Sequence, residues 1–217
     1  MIDLKLARRG DTLKVLCLGA HSDDIEIGCG GTVLKLIEKH KKIAFNWVVL
    51  SSAGKRRQEA ERSAAAFLEG ADGRKVAVKT FRDGFFPYTG AEIKECFEEL
   101  KRAVNPDLIF THNRADLHQD HRLVSELTWN TFRDHLILEY EIPKYDGDLG
   151  APNVFVPLDE GIYRTKIRLI LKNFKSQAGN RWFTKETFQA IMRLRGIESN
   201  APAGYAEAFY NRKLILS

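Results

Sequence analysis

The sequence predicts an α/β fold with a Rossmann-like, mostly parallel sheet flanked by helices and a C-terminal extension. Three observations lead there. Short apolar runs alternate with amphipathic stretches over the first 140 residues, the pattern of a parallel sheet with helices on its faces. The length of 217 residues suits one large domain with a full hydrophobic core. Beyond Pro143 the alternation gives way to a turn-rich segment and then to a basic helix.

The first run, K-V-L-C-L-G-A at 14–20, is short and continuous, as a strand buried on both faces should be. A helix follows from Thr32 to about Lys41, opened by the glycines before it. F-N-W-V-V-L-S at 45–51 reads as a second strand, with an alanine-rich helix after it at 57–69. V-A-V-K-T-F at 76–81 is a third strand. Ile93, Phe97, Leu100 and Val104 recur at helical spacing, and that helix stops before Asn105-Pro106 because proline pushes its predecessor out of the helical region. D-L-I-F-T-H at 107–112 is the fourth strand, a helix follows to about Asp134, and L-I-L-E-Y at 136–140 is the fifth.

The segment 144–153 is punctuated by Gly, Pro, Asp and Asn. V-F-V-P-L at 154–158 reads as an edge strand, and a helix runs from about Glu160 to Lys175. Ile167, Ile170, Leu171 and Phe174 form its apolar face, with Arg164, Arg168, Lys172 and Lys175 in a stripe beside it. The whole chain, 1–217, is read as a single domain, its α/β core at 1–140. The extension at 141–217 packs on that core and shapes access to its ligand site.

Composition narrows the class. With 44% hydrophobic and 29% charged residues the chain resembles soluble globular proteins. No apolar run approaches the roughly 20 residues of a membrane helix. The N-terminal M-I-D-L-K-L-A-R-R-G-D lacks an apolar signal core, so a cytoplasmic location is expected. Cys17, Cys29 and Cys96 are few and odd in number, as reduced packing residues would be. From Asp159 onward eleven Lys and Arg face five Asp and Glu, so the net charge of +5 belongs to the C-terminal quarter. A solvated helix face explains such an excess, and attraction of an anionic ligand is the sharper reading.

The chemistry concentrates in A-H-S-D-D at 20–24 and H-Q-D-H at 118–121, each following a strand. In open parallel sheets ligands gather beyond the carboxyl ends of the strands, so the two segments are read as one site. Packing gives no reason for adjacent carboxylates there. His21, Asp23, Asp24, His118, Asp120 and His121 can supply two histidines and one carboxylate to a catalytic zinc ion. The residues left over are a carboxylate to accept a proton from water and a histidine with its own aspartate. Metal-dependent hydrolysis follows as the first hypothesis.

These residues also carry a resemblance. A-H-S-D-D-I-E-I-G-C-G-G-T at 20–32 resembles the first signature of the PIG-L-like, zinc-dependent N-acetylglucosamine deacetylases. H-N-R-A-D-L-H-Q-D-H-R at 112–122 is similar to their second, and S-S-A-G-K-R-R-Q-E-A at 51–60 to their arginine loop. The resemblance spans the order and spacing of about the first 130 residues. It implies one Zn2+ per chain on His21, Asp24 and His121, with Asp23 as general base. It implies His118 as the acid or oxyanion-stabilising histidine, oriented by Asp120. Arg56, with Arg57 as the neighbouring register, would face the substrate, an N-acetylated sugar or sugar conjugate. Homo-trimers or hexamers are implied as well. Two departures stand out: Ser22 replaces the usual proline, and Ile25 stands where many members have glutamate, with Glu26 one position later.

His112, Asn113 and Asp116 either line a sugar pocket, with Asp116 as a substrate-binding residue, or cap the next helix. Trp129 and Trp182 are read as core before sugar platforms. Three other readings are weaker. G-C-G-G-T lacks the spacing of a dinucleotide loop, and the second strand ends without the acidic residue a ribose needs. Two histidines and a carboxylate also hold ferrous iron, but the spare Asp23 and His118 suit hydrolysis better. A basic nucleic-acid or membrane-surface binder would leave the six-residue cluster without a role and lacks interleaved aromatics, so no nucleic-acid partner is expected.

Overall fold

The computed structural model describes Leu6 and residues 12–215. The N-terminal stretch read for its missing signal core lies outside them, Leu6 apart. The elements run β1 (Leu13–Gly19), α1 (Asp24–Lys39), β2 (Ile43–Val49), α2 (Gly54–Phe67), β3 (Gly73–Val78), α3 (Gly90–Ala103), β4 (Leu108–His112), α4 (Gln119–Thr131) and β5 (Leu136–Tyr140). The chain closes with β6 (Val154–Pro157), α5 (Glu160–Asn173), α6 (Lys185–Glu198) and β7 (Ala206–Tyr210). They form a seven-stranded sheet in the order β3-β2-β1-β4-β5-β7-β6. β3 through β5 are parallel in that order, while β7 runs antiparallel to both β5 and β6. Among the described residues no helix is long and apolar enough to cross a membrane.

The unbroken apolar run of β1 reflects burial on both faces. Side chains alternate across a strand, so Val15 and Cys17 join the core beneath α1, α2 and α5, while Leu16 and Leu18 join the one beneath α3 and α4. The three cysteines are free and buried.

The structure departs from the sequence reading in four places. β2 and β3 begin two to three residues earlier than read, with Gly73 at the start of β3. α2 begins at Gly54 rather than at residue 57. β7 and α6 had no assignment, and β7 inserts between β5 and β6, so the extension completes the sheet. Last, α1 begins at Asp24, eight residues before Thr32, and its glycines lie inside the helix.

Close approach explains the glycines. A Cβ on Gly28 would lie 2.2 Å from the Tyr140 ring, and one on Gly30 would lie 2.6 Å from Phe67. The same stretch is gripped from the C-terminal segment. The Glu207 carboxylate accepts the amides of Gly31 and Thr32 at 2.7 and 2.6 Å. Lys166 Nζ donates to Glu207 and to the Ile27 carbonyl, each at 2.6 Å. A buried ion pair thus fastens the middle of α1 to α5 and β7, at the point where the glycines suggested a helix start.

Candidate metal centre

In strand order the chain winds outward from β1 in both directions, so the gap between β1 and β4 is the topological switch point of the sheet. The segment 20–24 leaves β1 at that gap and the segment 113–121 leaves β4 there. Two motifs a hundred residues apart therefore meet.

Nδ1 of His21 lies 3.4 Å from Oδ2 of Asp24 and 3.1 Å from Nε2 of His121. That nitrogen is 3.5 Å from the same Asp24 oxygen. Three donor atoms thus form a nearly equilateral triangle. Ligands about 2.0–2.1 Å from a tetrahedral zinc ion are separated by about 3.3–3.4 Å, so the triangle has the size such an ion requires. The donors are a carboxylate and two imidazoles, a set suited to zinc or to another borderline divalent ion. Asp24, His21 and His121 are all buried.

Each imidazole is fixed from its far side. His121 Nδ1 donates to Oδ2 of Asp116 at 2.9 Å, which leaves the Nε2 lone pair pointing into the triangle. His21 Nε2 faces Oδ2 of Asp120 at 3.1 Å and Oδ1 of Asp83 at 3.0 Å. Asp120 is itself held by the amides of Gly84 at 2.7 Å and Phe86 at 3.1 Å. Beneath the triangle, His112 stacks on His121 with centroids 3.9 Å apart, its Nε2 3.2 Å from Asp24 Oδ2. Tyr140, whose hydroxyl donates to the Leu18 carbonyl at 2.6 Å, closes the floor 3.2 Å from that nitrogen.

Asp23 is the N-cap residue of α1. Its Oδ1 lies 3.7 Å from the Arg56 guanidinium, and its buried Oδ2 has no hydrogen-bond partner. Burial and the neighbouring Asp24 push its carboxyl up to about 6, with Arg56 and His21 pulling the other way. A buried oxygen with a spare lone pair and an affinity for protons near neutrality is what a general base needs.

The other groups divide clearly. Burial works against a charge on His21, but the carboxylates of Asp24, Asp120 and Asp83 outweigh it and raise its pKa well above the usual imidazole value. Burial and the adjacent His112 press His121 down to about 4, against the pull of Asp24 and Asp116. His118 is also lowered, by burial and by His21. Asp24 stays well below the usual carboxylate range, because His121, His112 and His21 overcome the effect of its burial.

All the residues read from the two motifs converge here, with two corrections of role. Asp120 does not give its carboxylate to His118. The carboxylate bonds His21, and it is the Asp120 amide that donates to His118 Nδ1, at 3.2 Å. The reason is the start of α4, where the His118 side chain caps the helix. Asp116, read as a substrate residue or a cap, spends both oxygens inside the protein. Oδ2 accepts from His121, while Oδ1 accepts the His118 amide at 2.8 Å and Lys144 Nζ at 3.1 Å. Between the two loop arginines, Arg56 faces the site and Arg57 pairs with Glu61 at 2.9 Å on the outer side of α2. Trp182 packs edge-on against Phe183 and Phe188, and Trp129 bonds Glu139, so neither lines the site.

Sequence reasoning missed Asp83 and Lys144 and left His112 undecided. Asp83 follows β3 in R-D-G, a turn that reaches across β2 and β1 to His21. An acid just past a parallel strand was the available signal, blurred because β3 had been placed three residues late. Glu26, the acid beside Ile25, is fully buried, with Ser63 beside its carboxyl. Burial raises its pKa well above the usual carboxylate range, against the pull of Ser63.

The family description "GlcNAc-PI de-N-acetylase" (PIG-L) matches residues 16–132, which include both motifs. An uncharacterized deacetylase of Escherichia coli K12, YaiS, is 27% identical over 169 residues, covering 73% of this chain and 89% of that protein. The N,N'-diacetylchitobiose deacetylase of Pyrococcus horikoshii superposes with a TM-score of 0.71 at 22% identity, over 93% of this chain and 84% of its own. A 4-carboxy-2-hydroxymuconate hydratase from Pseudomonas putida superposes with a TM-score of 0.75 at 18% identity, over 95% and 98%. Likeness at such identities establishes the fold alone, and the names of these two proteins, a deacetylase and a hydratase, differ on that one fold.

Proposed function

The chain belongs to the GlcNAc-PI de-N-acetylase family, and on that premise we propose that it is a zinc-dependent hydrolase that removes acetate from an N-acetylated amino sugar or sugar conjugate. The observation that carries this reading is the donor triangle of His21, Asp24 and His121, sized for one tetrahedral ion, with the unpartnered oxygen of Asp23 beside it.

His21 Nδ1, Asp24 Oδ2 and His121 Nε2 would hold the ion. When bound, such an ion polarises an amide carbonyl and lowers the pKa of water toward neutrality. Asp23 takes a proton from the attacking water through its free Oδ2. Arg56 keeps Asp23 ionised and is placed to meet the substrate at the mouth, where its side chain is 34% exposed. His118 sits edge-on to His21 with centroids 4.9 Å apart and is half-buried. From there its ring N–H steadies the charge developing on the carbonyl oxygen, and the proton that Asp23 took from water passes to the departing amine. Asp120 and Asp116 fix the rings of His21 and His121.

The substrate class follows from the family and from the diacetylchitobiose deacetylase. The basic excess after Asp159 adds phosphate-bearing conjugates to the panel. The same resemblance carries the proposal of a trimer or hexamer, and a cytoplasmic location is proposed beside it; sedimentation of the purified chain and fractionation of cells would test the two.

The deciding experiment is acetate release from a panel of free, nucleotide-linked and lipid-linked N-acetyl sugars. Activity should vanish on chelation and return with Zn2+. Asp23→Asn should lose about 10²–10⁴-fold in kcat with metal content unchanged, and full activity in that variant removes Asp23 as base. His121→Ala should purify without stoichiometric metal. Retention of the metal there would overturn the ligand set.

A further inference from the structure

We propose that Lys144, in the loop between β5 and β6, is a positioning residue for the metal ligand His121, acting through Asp116. The inference rests on the metal reading of the site given above, and it adds a third chain segment to the two motifs.

Lys144 is largely buried, its side chain 10% exposed. Its Nζ lies 3.1 Å from Oδ1 of Asp116 and donates to Asp148. Asp116, with its side chain 3% exposed, accepts from His121 Nδ1 through its other oxygen at 2.9 Å. A continuous chain Lys144–Asp116–His121 therefore runs from the loop into the donor triangle. Asp148 reinforces it by accepting the Leu117 amide at 2.7 Å, which ties the loop to the segment carrying Asp116 and His118.

The physical consequence concerns a buried carboxylate with two duties. Asp116 must present one oxygen to the His121 N–H so that Nε2 stays bare and aimed at the triangle. A carboxylate this deeply buried needs a countercharge. Its remaining donors, the His118 amide and the His121 ring, are neutral. Lys144 is the cation in contact with it, and the Arg122 guanidinium bonds the Asp116 and Leu117 carbonyls instead. Without Lys144 the carboxylate turns toward other donors, and His121 loses the partner that selects its tautomer.

The test is metal affinity, measured by chelator competition with Zn2+ on the full chain at a temperature where circular dichroism shows wild type and variant folded. Loss of an outer partner of a ligating histidine weakens metal binding about 10–100-fold, and that loss is expected for Lys144→Met. Lys144→Arg, which keeps the cation, should recover most of it. In the metal-free protein, long-range 15N–1H correlation spectra should show His121 as the Nδ1–H tautomer in wild type and as a mixture in Lys144→Met. A purely structural lysine would lower thermal stability and leave affinity and tautomer unmoved. If Lys144→Met does not fold, Lys144→Met/Asp148→Asn, which also relieves the second buried carboxylate, serves the same comparison. Wild-type binding with Lys144→Met within twofold of it overturns this inference alone. A wild type that binds no Zn2+ overturns the metal reading beneath it.

Discussion

Replacing Arg56 with glutamine should move the acidic limb of the pH–rate profile upward by about one pH unit. Arg56 Nη2 lies 3.7 Å from Asp23 Oδ1, and the guanidinium favours the ionised carboxylate. At that distance Coulomb's law gives about 1.1 kcal/mol in bulk water and about 4.5 kcal/mol at an effective dielectric of 20. The Arg56 side chain is a third exposed, so solvent screening keeps the effect toward the lower figure. With about 1.36 kcal/mol per pK unit, the expected rise is close to one unit. The sign is fixed: losing a neighbouring cation makes the carboxylate easier to protonate, so a base that starts near 6 requires higher pH to work. A bound divalent ion would lower the starting point in both proteins and leave the displacement. The assay is kcat/KM against pH for wild type, Arg56→Gln and Arg56→Lys, the last expected to sit between them. A uniform loss at every pH, with the limb in place, would refute an electrostatic role and leave Arg56 a substrate contact only.

Two further outcomes can be stated briefly. At pH 7 Zn2+ binding should release about one proton, because the raised pKa of His21 keeps it protonated until the metal takes Nδ1; calorimetry in two buffers of different ionisation enthalpy reads the number, and zero would refute the charged state. Gly28→Ala should cost about 1–3 kcal/mol in urea unfolding, since its Cβ would stand 2.2 Å from the Tyr140 ring; an unchanged midpoint would mean the helix can move away from β5.

Much of this site was legible because its chemistry is carried by adjacent residues in two segments. Strand ends on either side of a switch point meet whatever lies between them in the sequence. His21, Asp23, Asp24 and His121 could therefore be placed together before any coordinate was known. Partners supplied singly could not be. Asp83 is an isolated acid in a turn, and Lys144 is one lysine in a segment whose glycines and proline announce only a loop. Nothing local says that either reaches the centre. Roles failed where spacing leaves geometry open: Asp120 lies two residues from His118, yet its carboxylate points across to His21 because the helix start turns it there. The glycines misled for a related reason. Local propensity reads them as a helix boundary, whereas tertiary contact with Tyr140 and Phe67 requires them inside one. β7 escaped because its five residues, A-E-A-F-Y, carry a buried Glu207 whose partners lie on α1 and α5.

The electrostatics of the centre also favour a charge on one histidine and oppose it on another a few ångströms away. Five aspartates (Asp23, Asp24, Asp83, Asp116 and Asp120) converge on the site, against the fixed cations of Arg56 and Lys144. The excess negative charge must be met by something mobile. His21 is its nearest recipient, with Nε2 between two carboxylates and Nδ1 directed at His121 Nε2. Its partners assign a complete donor chain: His21 Nδ1–H to His121 Nε2, then His121 Nδ1–H to Asp116. The Nδ1 proton lies within the triangle that a divalent ion would span. Proton and metal thus compete for one position, and a fall in pH should weaken metal binding through His21 while His121, pressed down to about 4, stays neutral. On the proposed metal reading, one imidazole would give up its proton to the ion while the other stays neutral above about pH 4.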